Sequence, residues 1–252
     1  MCLGAMMTFV LITGAAAALS EIQADLRVAP GVLVWIPSAY TLAVASLVLT
    51  AGTLGNRFGR KRVFCAGVVV MIVGGLLAAS AGSTGAVIAG QLVSGVGGAL
   101  ILPNSLAVLG ATFSDPHRRT EVVTAWAAAS GIGLAVGPLI AGVLLAHAGW
   151  HAVFLTDVVL GVLTLLVTIP FVAESRAPGG RIDAIGALLG TVTIAGLVYA
   201  LIQGDTRGTA ARMSSSPGPW RPSAPWPSWP PNCAFPHRRS TSGCSPHGPS
   251  AQ

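Results

Sequence analysis

Four cationic side chains, Arg57, Arg60, Lys61 and Arg62, lie within six residues of this sequence. Guanidinium and ammonium groups in such a row can hold acidic side chains or the carbonyl groups at helix C-termini. The sequence shows no Ser/His/Asp set, phosphate-binding glycine loop or metal-ligand spacing. We therefore predict a binding or positioning role for the cations, and we predict no enzyme activity, no metal and no cofactor.

The composition is that of a membrane protein. Of the 252 residues, 53% are hydrophobic and 9% are charged, whereas soluble proteins carry roughly 25% charged residues. The net charge of +6 comes mostly from residues 204–252, and the apolar body offers no basic face with stacking groups. We predict an all-α, polytopic membrane protein whose surroundings are the lipid bilayer, with no nucleic-acid partner.

Seven apolar segments are long enough to span a bilayer. They make residues 1–203 a predicted transmembrane domain. The polar stretches at 55–62, 114–120 and 173–183 hold eight Lys and Arg residues, while the alternate stretches hold only Arg27. Because cytoplasmic loops carry the excess of cations, this pattern predicts a cytoplasmic N-terminus. The predicted helices are about 2–19, 32–54, 63–81, 86–113, 121–146, 150–172 and 185–202.

The character of the chain changes after residue 203. Ten of its seventeen prolines lie in residues 204–252, and proline interrupts a spanning helix. We predict a disordered Pro-rich tail. A second hypothesis is that the tail is read in a shifted frame, which the nucleotide sequence would test.

The basic stretch resembles the signature between helices two and three of the major facilitator superfamily. Glycines permit a tight turn there, and the resemblance implies a loop that gates the cytoplasmic side. Asn56 stands where the family usually has Asp, so this position cannot supply a negative charge. The residues assigned to this gating loop are Gly52, Asn56, Arg57, Gly59, Arg60 and Lys61.

The fifth segment resembles the antiporter motif of drug-exporting members of that superfamily. Ala129, Gly133, Gly137 and Ala141 recur every four residues, which predicts one helix face that closely approaches a neighbouring helix. Pro138 is expected to bend the helix. The residues assigned to this antiporter-like helix are Gly133, Gly137, Pro138 and Gly142.

Two polar residues in other segments are candidates for the transport cavity. Gln91 stands where the fourth-helix motif of the family has a buried Arg associated with proton coupling. In the first segment, Leu11 occupies the position of the family's membrane-embedded acid. Asp157 is the one acid well inside a predicted span, and we predict that it is hydrated near the outer end rather than acting as a proton relay.

Together these motifs cover about residues 10–203 and resemble the fourteen-helix drug:proton antiporter branch of the superfamily. The resemblance implies the N-terminal six-helix bundle plus a seventh helix, built from inverted three-helix repeats. It also implies efflux of a small, lipophilic or cationic molecule from the plasma membrane in exchange for protons, with weak proton coupling here. The alternative is a truncated, non-transporting half-bundle that associates with another bundle.

Overall fold

The computed structural model describes residues 1–113 and 115–175, and further along the chain residues 189–193, 196, 197 and 200, which are helical. Most of the predicted seventh helix, 185–202, and all of the predicted tail, 204–252, lie outside these residues. Within residues 1–175 the described chain forms eight helices and no strand. They are α1 (Cys2–Ala17), α2 (Leu19–Leu26), α3 (Pro30–Leu33), α4 (Trp35–Phe58), α5 (Arg60–Ala79), α6 (Thr84–Thr112), α7 (Pro116–Ala148) and α8 (Trp150–Phe171).

The long helices have the length and surface of membrane spans. Within the described residues, α5, α6, α7, α8 and the stretch Pro30–Phe58 are long and apolar enough to cross a bilayer, and α1 and α2, bent by 51°, make a sixth candidate. Large apolar side chains point outward, among them Leu139, Leu166 and Phe171, which is 83% exposed. Such an apolar surface is compatible with contact with the lipid tails of a bilayer. The prediction of an all-α, polytopic membrane protein is confirmed.

The loop predicted at 55–62 is wrong, because only Gly59 separates α4 from α5. Gly59 has φ of 105°, a conformation that other residues rarely adopt, so the chain can change direction at this one residue. α4 therefore continues to Phe58 and α5 begins at Arg60. The cations, predicted to be loop residues, thus occupy the ends of two helices.

Two other polar stretches are also more helical than predicted. α7 begins at Pro116 rather than near residue 121. The Asp115 carboxylate accepts a hydrogen bond from the His117 N–H at 3.3 Å, and proline suits the first helical position. Similarly, the stretch 20–31 contains most of α2 and the start of α3, and Arg27 ends α2 with φ of 50°.

Glycine determines how closely the helices pack. The most extensive contacts join α5 to α6, α4 to α6, α1 to α7 and α5 to α8. A Cβ atom added at Gly97 of α6 would lie 2.6 Å from the Gly67 carbonyl oxygen of α5, and one added at Gly67 would lie 2.9 Å from the Gly97 oxygen. At Gly90 the added atom would lie 2.7 Å from the Ala78 backbone nitrogen. A change of rotamer cannot relieve a contact with backbone atoms. The helices α5 and α6 can therefore pack this closely only because these positions are glycine.

We expect Gly97→Ala to lower the free energy of unfolding by about 1–3 kcal/mol, the usual cost of overpacking. The matched control is Gly131→Ala, because Gly131 is helical and has no atom within 4 Å of an added Cβ. Unfolding of the purified chain in detergent measures both. Equal stability of the two variants would contradict the proposed packing.

Candidate functional site

The basic residues fasten the start of α5 to three other helices, α4, α6 and α8. Arg60 donates from Nε and Nη2 to the side-chain amide oxygen Oδ1 of Asn56 at 3.2 and 3.0 Å, and from Nη1 to the backbone carbonyl of Ala107 in α6 at 3.0 Å. Lys61 donates from Nζ to the Ile169 carbonyl in the last turn of α8 at 2.8 Å. A cation at a helix C-terminus also opposes the negative end of the helix dipole. This cluster is here called the basic turn.

Glu174, beyond the end of α8, completes the basic turn. Its Oε1 accepts from the Lys61 backbone N–H at 3.0 Å, and its Oε2 lies 3.7 Å from Arg62 Nε. The Arg60 N–H donates to the Ser175 carbonyl at 3.0 Å. These contacts satisfy N–H groups in the first turn of α5 that have no partner within the helix. A Cβ at Gly59 would lie 2.7 Å from the Glu174 carboxylate, so a larger residue here would displace that side chain from its contacts with α5.

The structure brings together four of the six predicted gating residues: Asn56, Gly59, Arg60 and Lys61. Arg57 instead is exposed, and its guanidinium lies 5.3 Å from the centre of the Phe58 ring. Gly52 lies further up α4, where an added Cβ would be 3.9 Å from Pro103. Sequence reasoning missed Glu174 because it is 113 residues from Lys61, and no local pattern joins them.

A second contact missed in the sequence joins α4 to α6 just above the basic turn. Asn104 donates from Nδ2 to the Ala51 carbonyl of α4 at 3.1 Å and to its own helix at Leu100 at 2.8 Å. The side chain is buried, and a Cβ at Gly55 would lie 2.8 Å from Asn104 Cγ. Gly55 therefore admits the amide that ties the two helices.

A cavity of 460 Å³ opens beside the basic turn. Arg60 and Arg119 line it together with apolar residues of α6. The Arg119 guanidinium lies close to Gly110, where an added Cβ would be 3.3 Å from Nη2. The remaining lining residues are Pro103, Leu106, Ala107 and Ala111.

The small-residue face of α7 packs against α1. A Cβ at Gly133 would lie 2.6 Å from the Met6 carbonyl oxygen, and one at Gly137 would lie 3.0 Å from the Val10 carbonyl oxygen. Ala141 on the same face is fully buried. Pro138 and Gly142 are exposed instead, with nothing within 4 Å of a Cβ at Gly142. The contact face is thus 133, 137 and 141, and α7 is one continuous helix through Pro138.

The predicted hydration of Asp157 is wrong. Its side chain is 0% exposed, and neither carboxylate oxygen has a hydrogen-bond partner in the described part of the chain. Close packing of α8 on α5 at Gly75 and of α8 on α1 at Gly14 encloses it. Gln91 is 1% exposed and its amide also has no partner there, so the half-bundle encloses it as well. In the described residues, no group of three His, Cys, Asp or Glu could hold a metal ion.

The family model of the Major Facilitator Superfamily matches residues 1–229 of this sequence. The chain belongs to the major facilitator superfamily. It is 35% identical over 206 residues to the methylenomycin A resistance protein of Bacillus subtilis (strain 168), a match that covers 82% of this chain and 44% of the relative. It is 34% identical over 201 residues to the multidrug efflux pump LfrA of Mycolicibacterium smegmatis, covering 79% of this chain and 40% of the relative.

Another relative is the tetracenomycin C resistance and export protein of Streptomyces glaucescens, 32% identical over 207 residues, covering 82% of this chain and 38% of the relative. Among solved structures, a peptide transporter POT in complex with sulfate matches with a TM-score of 0.60 at 18% identity, covering 84% of this chain and 49% of that one. At this identity the likeness shows a shared fold. The chain spans about two-fifths of the length of these curated relatives.

We expect Glu174→Ala to destabilise the protein by about 1 kcal/mol, the usual cost of losing a helix cap. Glu174→Gln keeps an oxygen that accepts from the Lys61 N–H and loses only the ion pair with Arg62. The Arg62 side chain is 70% exposed, and exposed ion pairs contribute about 0–1 kcal/mol to stability. Unfolding free energies at low and high salt measure both variants. A Gln variant as unstable as the Ala variant would show that charge, rather than capping, is what Glu174 supplies.

Proposed function

We propose that this chain forms a helical bundle of a plasma-membrane drug-efflux transporter that expels a small, lipophilic or cationic molecule in exchange for protons. The observation that carries the proposal is similarity, over about 200 residues, to proteins named for antibiotic resistance, multidrug efflux and drug export. The match reaches less than half of each relative. The activity of the whole protein is therefore part of the proposal.

The basic turn supports a gating role. Arg60 holds a carbonyl of α6 and Lys61 holds a carbonyl of α8, so α4, α5, α6 and α8 are fastened at one end of the bundle. A movement of α6 or α8 away from α5 must break these charge-assisted hydrogen bonds. Arg57 and Phe58 are exposed beside them and are in reach of a second bundle that approaches this end.

The contact of α7 with α1 supports the antiporter assignment. Gly133 and Gly137 let the two backbones meet, and a close contact of this kind seals the space between two helices against solvent. We expect Gly137→Val to lower protein-dependent efflux of a lipophilic cationic dye several-fold, because the added side chain separates α7 from α1. Gly142→Val on the same helix is the matched control, since its side chain meets no neighbour.

The measurement is dye accumulation in cells that express the full chain, compared with empty cells and normalised to the amount of chain in the membrane. Lower accumulation with the unaltered chain and with Gly142→Val, but not with Gly137→Val, supports the proposal. If the unaltered chain changes neither accumulation in cells nor flux in proteoliposomes, transport by this chain alone is excluded. The non-transporting half-bundle would then be the better description.

We also propose an orientation for the bundle in the membrane, in which the N-terminus and the basic turn lie on the cytoplasmic side. Ser83 precedes α6 and His117 lies at the start of α7, at opposite ends of the intervening helix, and both are exposed. In a background without native cysteines, we expect a membrane-impermeant maleimide to label Ser83→Cys in intact cells. His117→Cys should be labelled only after permeabilisation. The reverse pattern would contradict this orientation.

A further inference from the structure

Asp157 is an acid within the apolar interior of the bundle. It lies seven residues after Trp150, the first residue of α8, which places it about 10 Å along the helix. The side chain is 0% exposed, and both carboxylate oxygens have no hydrogen-bond partner among the described residues. A charged carboxylate in such surroundings is strongly unfavourable unless a cation or hydrogen bonds compensate it.

The described helices around Asp157 offer no cation or hydrogen-bond partner for its carboxylate. On the α5 side, a Cβ at Gly75 would lie 3.3 Å from Asp157 Cβ, so the two backbones are close. On the α1 side, an added Cβ at Gly14 would meet Val153 at 3.3 Å, and one at Gly161 would meet Met7 at 3.5 Å. Since α1 and α8 run in opposite directions, these two contacts place Asp157 at about the level of Leu11 along α1. Both facing walls are apolar.

Lysine and arginine are absent from the interior of the bundle that the described helices α1 to α8 form. The segments 2–26, 28–56, 63–113 and 122–172 contain no Lys or Arg. Nearly all titratable and charged groups on the helices around Asp157 lie near the helix ends. The exception is Tyr40 on α4, which is close enough to interact electrostatically with Asp157. Its hydroxyl donates to the Thr8 carbonyl of α1 at 3.4 Å. The groups near the helix ends are Met1, Cys2, Glu21, Asp25, Arg57, Arg60, Lys61, Arg62, Cys65, His117, Arg118, Arg119, Glu121, His147 and His151.

With no compensating group among the described residues, a proton is the means that remains for neutralising this carboxyl. We propose that Asp157 is a proton-binding site of the bundle, protonated while α8 is packed against α1 and α5, and able to lose its proton to water when these helices separate. The proton balance is that of a simple acid, with one H⁺ taken from or released to the aqueous phase per carboxyl. The inference rests on the proposed exchange with protons, and it assigns the exchanged proton to a residue on α8.

Packing and protonation are then linked thermodynamically. The state in which α8 touches α5 at Gly75 favours the neutral acid, and a state that admits water to Asp157 favours the carboxylate. Each change of protonation therefore shifts the equilibrium between the two arrangements. A buried aspartate on α8 can in this way connect the proton gradient to helix movement even though the first helix has leucine at position 11.

The test uses the purified full chain in lipid nanodiscs and the apolar reagent dicyclohexylcarbodiimide. A protonated carboxyl adds to the carbodiimide and rearranges to a stable N-acylurea, which peptide mass spectrometry locates. We expect an adduct at Asp157 whose initial rate falls about tenfold for each unit of pH once the carboxyl ionises. Asp157→Asn, nearly the same in shape, should lose the adduct while retaining the stability of the unaltered chain.

Glu121→Gln is the matched control, because Glu121 is exposed at the start of α7 and lies outside the basic turn, so its removal should leave the Asp157 adduct unchanged. An infrared carbonyl band of a protonated carboxyl that is absent from Asp157→Asn gives an independent readout. Absence of both the adduct and the band at every pH, or an adduct whose rate does not depend on pH, would overturn the proposal.

The labelling result is independent of transport, so the two proposals fail separately. A pH-dependent adduct in a chain that moves no dye would support proton binding and count against efflux by this chain. Where the chain does move dye, we expect Asp157→Asn to abolish the dependence of flux on the pH gradient. An unchanged dependence would overturn the coupling role of Asp157.

Discussion

Close contact between helix backbones is the constraint on which the rest of this structure depends. Burial of apolar surface does not drive helices together in lipid, because lipid tails are as apolar as the side chains. Here α5 meets α6 at Gly67 and Gly97, and α7 meets α1 at Gly133 and Gly137, at distances that no Cβ atom allows. The basic turn and the burial of Asp157 both follow from this packing, because each needs α5 held tightly against its neighbours.

The sequence was sufficient for the fold. Apolar segments of spanning length and the uneven distribution of cations predict an all-α membrane bundle, and the four-residue spacing on α7 predicts the face that meets α1. Helix ends were less predictable. The cations at 57–62 were read as a loop, yet Gly59 alone makes the turn. The Asp115-Pro116 pair was a local capping signal that would have placed the start of α7 correctly.

Only those residues of the site that are close together in the sequence could be predicted. Asn56, Gly59, Arg60 and Lys61 lie together in the chain and in the structure. Glu174, beyond the end of α8, binds Lys61, and Asn104 of α6 binds Ala51 of α4. A single sequence contains no signal that pairs residues so far apart. Asp157 was misjudged for a related reason. Its depth along α8 suggested access to water, but burial depends on which helices lie beside it, and α1 and α5 both close over it at glycine positions.

The basic turn also has a consequence for the order in which the bundle is assembled during synthesis. Lys61 and its partner Glu174 are 113 residues apart, and at about 5–20 residues per second the ribosome needs roughly 6–23 s to make that interval. During this time the cations at 57–62 have neither the Ile169 carbonyl nor the Glu174 carboxylate to bind, and they interact with water and lipid head groups instead. The same residues that join α5 to α8 in the finished bundle are therefore available beforehand to hold one end of the α4–α5 hairpin at the membrane surface, and the final contacts can form only after α8 has been inserted.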